Sequence, residues 1–224
     1  MMLLNTLNRS HRAIGAGLLA CASLPAHAGR PMTVDDAAIV SPGQCQLESY
    51  VQRAGEVREF WATPACNVGG DWELALGGAV VEEGATHTHL GRLQAKTVFK
   101  PLEADGWGAG LVLANQFSSG RGLDGDLSVN VPLSFSLRGD SVLLHLNAGA
   151  IRSQTRRVTD PSWGIGAEFK LDERNSLTAE SFGQRRSHGR LQLGFAHALI
   201  PDRVQIDATL GKRLVSIGLV LQTP

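Results

Sequence analysis

Between residues 127 and 137 every second side chain is apolar. Leu127, Val129, Val131, Leu133, Phe135 and Leu137 alternate with Ser128, Asn130, Pro132, Ser134 and Ser136. A period of two places the two sets on opposite faces of an extended strand, whereas a helix would scatter them around its axis. Pro132 would break a helix, and in a sheet it requires an edge or a local defect. The same alternation recurs over residues 72–80, 92–100, 107–114, 142–149, 163–170, 191–195, 204–210 and 215–222, and more weakly over 44–52, 58–66 and 176–184. The chain therefore reads as all-β, with about twelve strands. Most are nine to eleven residues long, the length that crosses a bilayer when tilted.

Alternation alone also fits a soluble sandwich, so the choice rests on what each face carries. The apolar faces of successive segments bear almost no charge, while the other faces are rich in Gly, Ala, Ser and isolated charged residues. Trp72, Phe99, Trp107, Phe117, Phe135, Trp163 and Phe169 stand near segment ends, as in the aromatic girdles of transmembrane barrels. Lipid leaves no backbone group unpaired without cost, so spanning strands must close on themselves. The expected architecture is a closed antiparallel transmembrane β-barrel of about 12 strands over residues 44–224. Tight turns at 138–141, 172–175 and 201–203 are expected to alternate with longer loops at 118–126, 152–162 and 184–189. That is the asymmetry of barrels with short periplasmic turns and longer outer loops. An even strand count places both termini in the periplasm.

Residues 1–28 read as a secretory signal peptide. Arg9, His11 and Arg12 precede the apolar run Ala13–Leu24, and Ala26-His27-Ala28 supplies a small-x-small cleavage site before Gly29. Leu18-Leu19-Ala20-Cys21 is a poorer match to a lipoprotein site. The signal implies export and, for a barrel, the outer membrane of a Gram-negative cell, reached through the barrel-assembly machinery. Cleavage removes Arg9 and Arg12, so the 21 Lys+Arg of the whole chain fall to 19 against 21 Asp+Glu. A balance this even leaves no basic footprint for nucleic acid. The 43% hydrophobic content excludes a disordered chain. Residues 29–43 form an N-terminal segment placed in the periplasm or the lumen, where Asp35-Asp36 cap or turn it.

Cleavage also removes Cys21 and leaves Cys45 and Cys66, which suggests a disulfide in an oxidising compartment. If Gly55 and Glu56 form the tip of the first hairpin, the two cysteines are equidistant from it and face each other. Directly opposed antiparallel residues have the short Cβ separation a disulfide needs.

The polar faces supply the candidate site residues. Glu48, Glu73, Arg92, Lys96, His145, Glu168, Lys170, Glu180 and Asp207 are expected to line the lumen, either as a selective polar pathway or as neutralising pairs that fill a narrow interior. His87-Thr88-His89, in an expected loop beside Glu82 and Glu83, lacks the further ligands of a metal site. No Gly-x-Ser-x-Gly elbow or evident Ser-His pair supports a membrane-rim lipid hydrolase. No enzyme activity, cofactor or metal is implied. The expected partners are outer-membrane lipid and a small solute. The alternatives are a closed structural barrel or the hydrolase.

The segment Arg30-Pro31-Met32-Thr33-Val34-Asp35-Asp36-Ala37, followed by Pro42-Gly43-Gln44-Cys45-Gln46-Leu47-Glu48, resembles the start of the MetA-pathway-of-phenol-degradation family of outer-membrane barrels. Members tend to begin Pro-Leu-x-Thr-Asp-Asp-Ala, then a Gly and a Leu-Glu strand; here Met32 replaces the Leu. Leu177-Thr178-Ala179-Glu180 and Ser216-Ile217-Gly218-Leu219 resemble later strands of that family. The resemblance implies a transporter-like barrel for small hydrophobic or aromatic compounds. The chain departs from the usual barrel ending, a terminal aromatic, by closing on Leu221-Gln222-Thr223-Pro224.

Overall fold

A computed structural model describes residues 32–185 and 187–224; the expected signal peptide at 1–28 lies outside the described residues. Twelve strands follow in order: β1 (Cys45–Ala54), β2 (Val57–Cys66), β3 (Trp72–Glu83), β4 (Thr86–Lys100), β5 (Trp107–Ser118), β6 (Asp126–Leu137), β7 (Val142–Ser153), β8 (Val158–Lys170), β9 (Asn175–Gln184), β10 (Arg190–Ile200), β11 (Val204–Gly211) and β12 (Leu214–Gln222). Each pairs antiparallel with its chain neighbours, and β12 returns to β1 from Gln46↔Gln222 to Ala54↔Leu214, closing the barrel. Closure leaves no open sheet edge, the condition lipid imposes. Among the described residues no helix is long and apolar enough to cross a membrane.

The period-two pattern sorts side chains as expected. Leu74, Leu76, Leu193 and Ile217 stand exposed on the outside, while Glu73, Ala75, Gln192 and Ser216 on the same strands are buried. Trp72, Phe99, Trp107, Phe135 and Phe169 ring the end that carries the chain termini. Phe60, Phe117 and Trp163 lie toward the other end. At the termini-bearing end the Lys100 ammonium sits 4.7 Å over the Trp107 ring, a cation–π contact at the edge of the lipid-facing belt. Near the opposite end the Phe117 ring covers Gly91, so closely that a Cβ there would lie 2.5 Å from the ring. Glycine is needed for that ring to lie flat on the sheet. Pro132 produces the expected local defect: the β5–β6 ladder skips from Ala109↔Leu133 to Val112↔Asn130, because Pro132 has no N–H to give.

Cys45 and Cys66 face each other in the β1–β2 register and form a disulfide with Cα atoms 4.1 Å apart. Two expectations are corrected. The residues 152–162 are not a loop: β7 runs on to Ser153 and β8 starts at Val158, leaving only 154–157 between them. His87-Thr88-His89 is likewise not a loop but the start of β4, with both imidazoles exposed on its outer side. The reason is common to both. The strands continue as hairpins beyond the apolar belt, where outward residues face water and need not be apolar. The expected asymmetry of connections therefore fails, since 55–56, 84–85 and 212–213 are tight turns at the end away from the termini.

Candidate functional site

The lumen is occupied by the chain's own N-terminal segment. Residues 32–40 cross the interior from the β8–β9 wall to the β2–β3 wall, and the backbone N–H groups of Thr33, Val34, Asp35, Ala37 and Val40 are given to wall side chains. Glu180 on β9 accepts from Thr33 N–H at 3.0 and 2.8 Å and from Val34 N–H at 2.8 Å. Asn147 on β7 clamps Asp35 from both sides, its amide oxygen accepting Asp35 N–H (2.9 Å) and its amide nitrogen donating to Asp35 C=O (2.7 Å). Asn130 on β6 donates to the Asp35 carboxylate at 2.5 Å. Ser134 accepts Ala37 N–H at 2.8 Å, and Glu73 on β3 accepts Val40 N–H at 2.8 Å. Asn67, just past β2, donates to Val40 C=O at 2.9 Å. The Lys96 ammonium on β4 meets the Asp36 carboxylate at 2.6 Å, with both side chains largely buried.

Shape matches this polar pairing. Gly164 and Gly166 face inward on β8 directly beneath the segment. A Cβ on Gly164 would lie 2.9 Å from Val34 Cγ2, and one on Gly166 would lie 2.1 Å from Met32 Cε. The bare backbone of β8 is thus the seat of the segment. Val34, Ala37, Ala38 and Val40 are all buried. An extended chain inside a barrel has no ladder partner, so its backbone groups must find side chains, and the Asn, Ser and Glu residues of the inner wall supply them.

Beyond the segment a cavity of about 590 Å³ extends toward the end away from the termini. Met32–Asp36 form its floor; Glu48, Gln52, Arg92, Gln94 and Arg190 are among its polar walls. Tyr50 and Trp61 stack there with ring centroids 6.2 Å apart, and the Trp61 indole N–H is anchored by Glu59 at 2.8 Å. Arg92 donates to Gln94 at 2.7 Å.

The sequence-derived site residues fall into three groups. Glu73, Lys96 and Glu180 hold the N-terminal segment directly, and His145 does so through Ser134. Glu48 and Arg92 border the cavity. Asp207 is buried on β11, Glu168 is half-buried on β8, and Lys170, the last residue of β8, is exposed at the rim. Ser134 and His145 do form a hydrogen-bonded pair, at 2.8 Å, which the sequence did not reveal. The Ser134 oxygen accepts Ala37 N–H and shares its second hydrogen bond with His145 Nδ1, and both residues are buried under the segment. Asn147, Asn130, Ser134, Gly164 and Gly166 were not singled out from the sequence. Their inward positions follow from the alternation, but only the contact with residues 32–40 gives them a role. The two histidines at the start of β4 meet no metal-type cluster: among the described residues no group of three His, Cys, Asp or Glu gathers to hold an ion.

A family model for the uncharacterised conserved protein UCP029691 matches residues 17–216. The chain belongs to that family. No curated protein matches it. Among solved structures, this member of the family is similar to the KdgM porin at 5% identity and a TM-score of 0.62, covering 80% of this chain and 98% of that one. It is also similar to the NanC porin at 10% identity and a TM-score of 0.58, covering 79% and 98%. A further structure, of KdgM in complex with disordered oligogalacturonate, matches at 7% identity and a TM-score of 0.60, covering 81% and 98%. At such identities the likeness is one of fold. A sealed twelve-stranded barrel of that fold, apolar on its outside, is an outer-membrane protein.

Proposed function

We propose that the protein is an outer-membrane barrel that admits small solutes from the cell exterior into the cavity above its N-terminal segment, and passes them inward when that segment leaves the lumen. The observation that carries this reading is the cavity itself: a polar chamber with an aromatic stack, floored by a segment that the wall holds through individual side-chain bonds rather than a sheet ladder. The stacked Tyr50 and Trp61 offer a flat face to a ring-bearing solute, and Arg92, Arg190 and the glutamines offer donors to its polar edge. The resemblance to the phenol-degradation family supports small aromatic compounds as the solute. The structure of the KdgM porin in complex with disordered oligogalacturonate makes saccharides the natural comparison. Hydrolysis is not part of the proposal, because the Ser134–His145 pair lies buried beneath the segment.

Liposome uptake of aromatic acids and of uncharged sugars of similar size tests this, using the full mature chain, a variant lacking residues 32–40, and Trp61→Ala. Uptake by the deletion variant that favours the aromatic acids and drops with Trp61→Ala is the expected result. A deletion variant as impermeable as the mature chain supports the closed structural barrel instead, a reading favoured by the closed lumen.

A further inference from the structure

The outer wall is not evenly convex. On the lipid side a concavity of about 1040 Å³, almost wholly apolar, crosses seven strands from β2 to β8. Its long axis follows the hydrogen-bonded register through Cys66, Leu74, Ala95, Leu113, Val129 and Ala150, each paired with the next. Of the lumen-turned residues beneath it, Ala75, Ala114 and Ser128 are small and Gln94 is the larger one. A row that runs across tilted strands climbs through the membrane. Five inter-strand steps of about 4.8 Å, with strands tilted about 40°, raise it by roughly 15 Å, from Cys66 at the termini-bearing end of β2 toward the opposite end.

The upper end of this groove is marked by charge. A parallel row ends Asn115↔Leu127, Leu127↔Arg152 and Arg152↔Thr159. Arg152 stands exposed on the outer face, one residue from the end of β7 away from the termini. Among the described residues its side chain takes part in no hydrogen bond or ion pair. An unpaired guanidinium on the lipid face is costly at depth and tolerable at the interface, where a lipid phosphate can meet it. Arg157, in the connection just above, adds a second cation, while Arg156 is already paired with Asp160 at 3.3 Å. Asp124, in the β5–β6 connection, and Asp126, the first residue of β6, accept hydrogen bonds from Gln154. On the diametrically opposite wall the outward Arg53 is engaged with its own Gly55 carbonyl at 3.1 Å.

We propose that this groove binds an outer-leaflet lipid with a phosphate headgroup, its acyl chain lying along the Leu113–Ala150 part of the row and its phosphate on Arg152. The proposal needs only the barrel's place in the membrane and is independent of solute passage. The occupant is a lipid rather than a second copy of the chain because the groove is apolar and ends in an unpaired cation.

The test is native mass spectrometry of the full mature protein in phosphatidylcholine bicelles doped with bisphosphorylated lipid A, with heat-modifiability on a gel confirming that each variant is folded. The wild type is expected to retain lipid A through detergent exchange. Arg152→Gln should weaken retention about tenfold, the loss of a charge-assisted hydrogen bond. Ala150→Phe, which fills the groove without touching the charge, should weaken it as well, and Arg53→Gln should leave it unchanged. Retention unaffected by Arg152→Gln, an equal loss with Arg53→Gln, or a stable dimer that buries this face each overturns the proposal.

Discussion

Replacing Glu180 by Gln probes the closed state of the lumen directly. The carboxylate accepts the N–H groups of Thr33 and Val34 through both of its oxygens, at 2.8 to 3.0 Å. Gln keeps one acceptor oxygen and turns an NH₂ toward donors, so it loses the charge and at least one of these bonds. A hydrogen bond to a charged group contributes about 1.5–3 kcal/mol. Taking about 2 kcal/mol for the swap, the balance between seated and released segment moves about thirtyfold toward release. Planar-bilayer recording reads this as open probability, with the variant lacking residues 32–40 defining full opening. Amide hydrogen exchange at Thr33 and Val34 should quicken in parallel. An open probability that changes less than about threefold, in a protein whose deletion variant conducts, would refute Glu180 as the latch. A silent deletion variant would instead remove solute passage and leave the segment as an internal strut.

The remaining expectations concern other contacts. Gly164→Val places a branched side chain where Val34 now lies, since even a bare Cβ would come 2.9 Å from Val34 Cγ2. It should therefore raise conductance as Glu180→Gln does, without altering any charge. Reducing Cys45–Cys66 opens a covalent link spanning a sequence separation of 21 and should cost about 3 kcal/mol, read as a lower urea midpoint of the folded band on gels. Asp172, in the exposed turn between β8 and β9, is held below the ordinary carboxylate value by the Asn175 side chain and then by the Arg174 N–H. A depressed folded pKa means its contribution is present above the unfolded value and lost as pH falls through the lower folded one. NMR titration should find Asp172 ionising below a free Asp, and Asn175→Ala should reduce the shift.

Much of the wall was legible in one dimension. Alternation at period two depends only on the geometry of an extended chain, so the inward placement of Glu73, Lys96 and Gln192 and the outward placement of Leu74 and Ile217 followed from residue order. The opposition of Cys45 and Cys66 was equally local, because a two-residue tip fixes the register of a hairpin. The loops at 87–89 and 152–162 were misread for a related reason. Where a hairpin leaves the lipid its outer residues turn polar, and polarity without apolar alternation looks like a loop.

What the sequence by itself determined, then, is which side of the wall each residue occupies and that the wall closes. Only the tertiary structure decided what fills the space inside. Asp36 meets Lys96 across 60 positions and Thr33 meets Glu180 across 147, contacts that no spacing rule encodes. An extended segment with no ladder partner leaves no periodic trace. Its place depends on bare glycines and amide side chains drawn from β6 to β9, which become neighbours of residues 32–40 only once the barrel has formed around them.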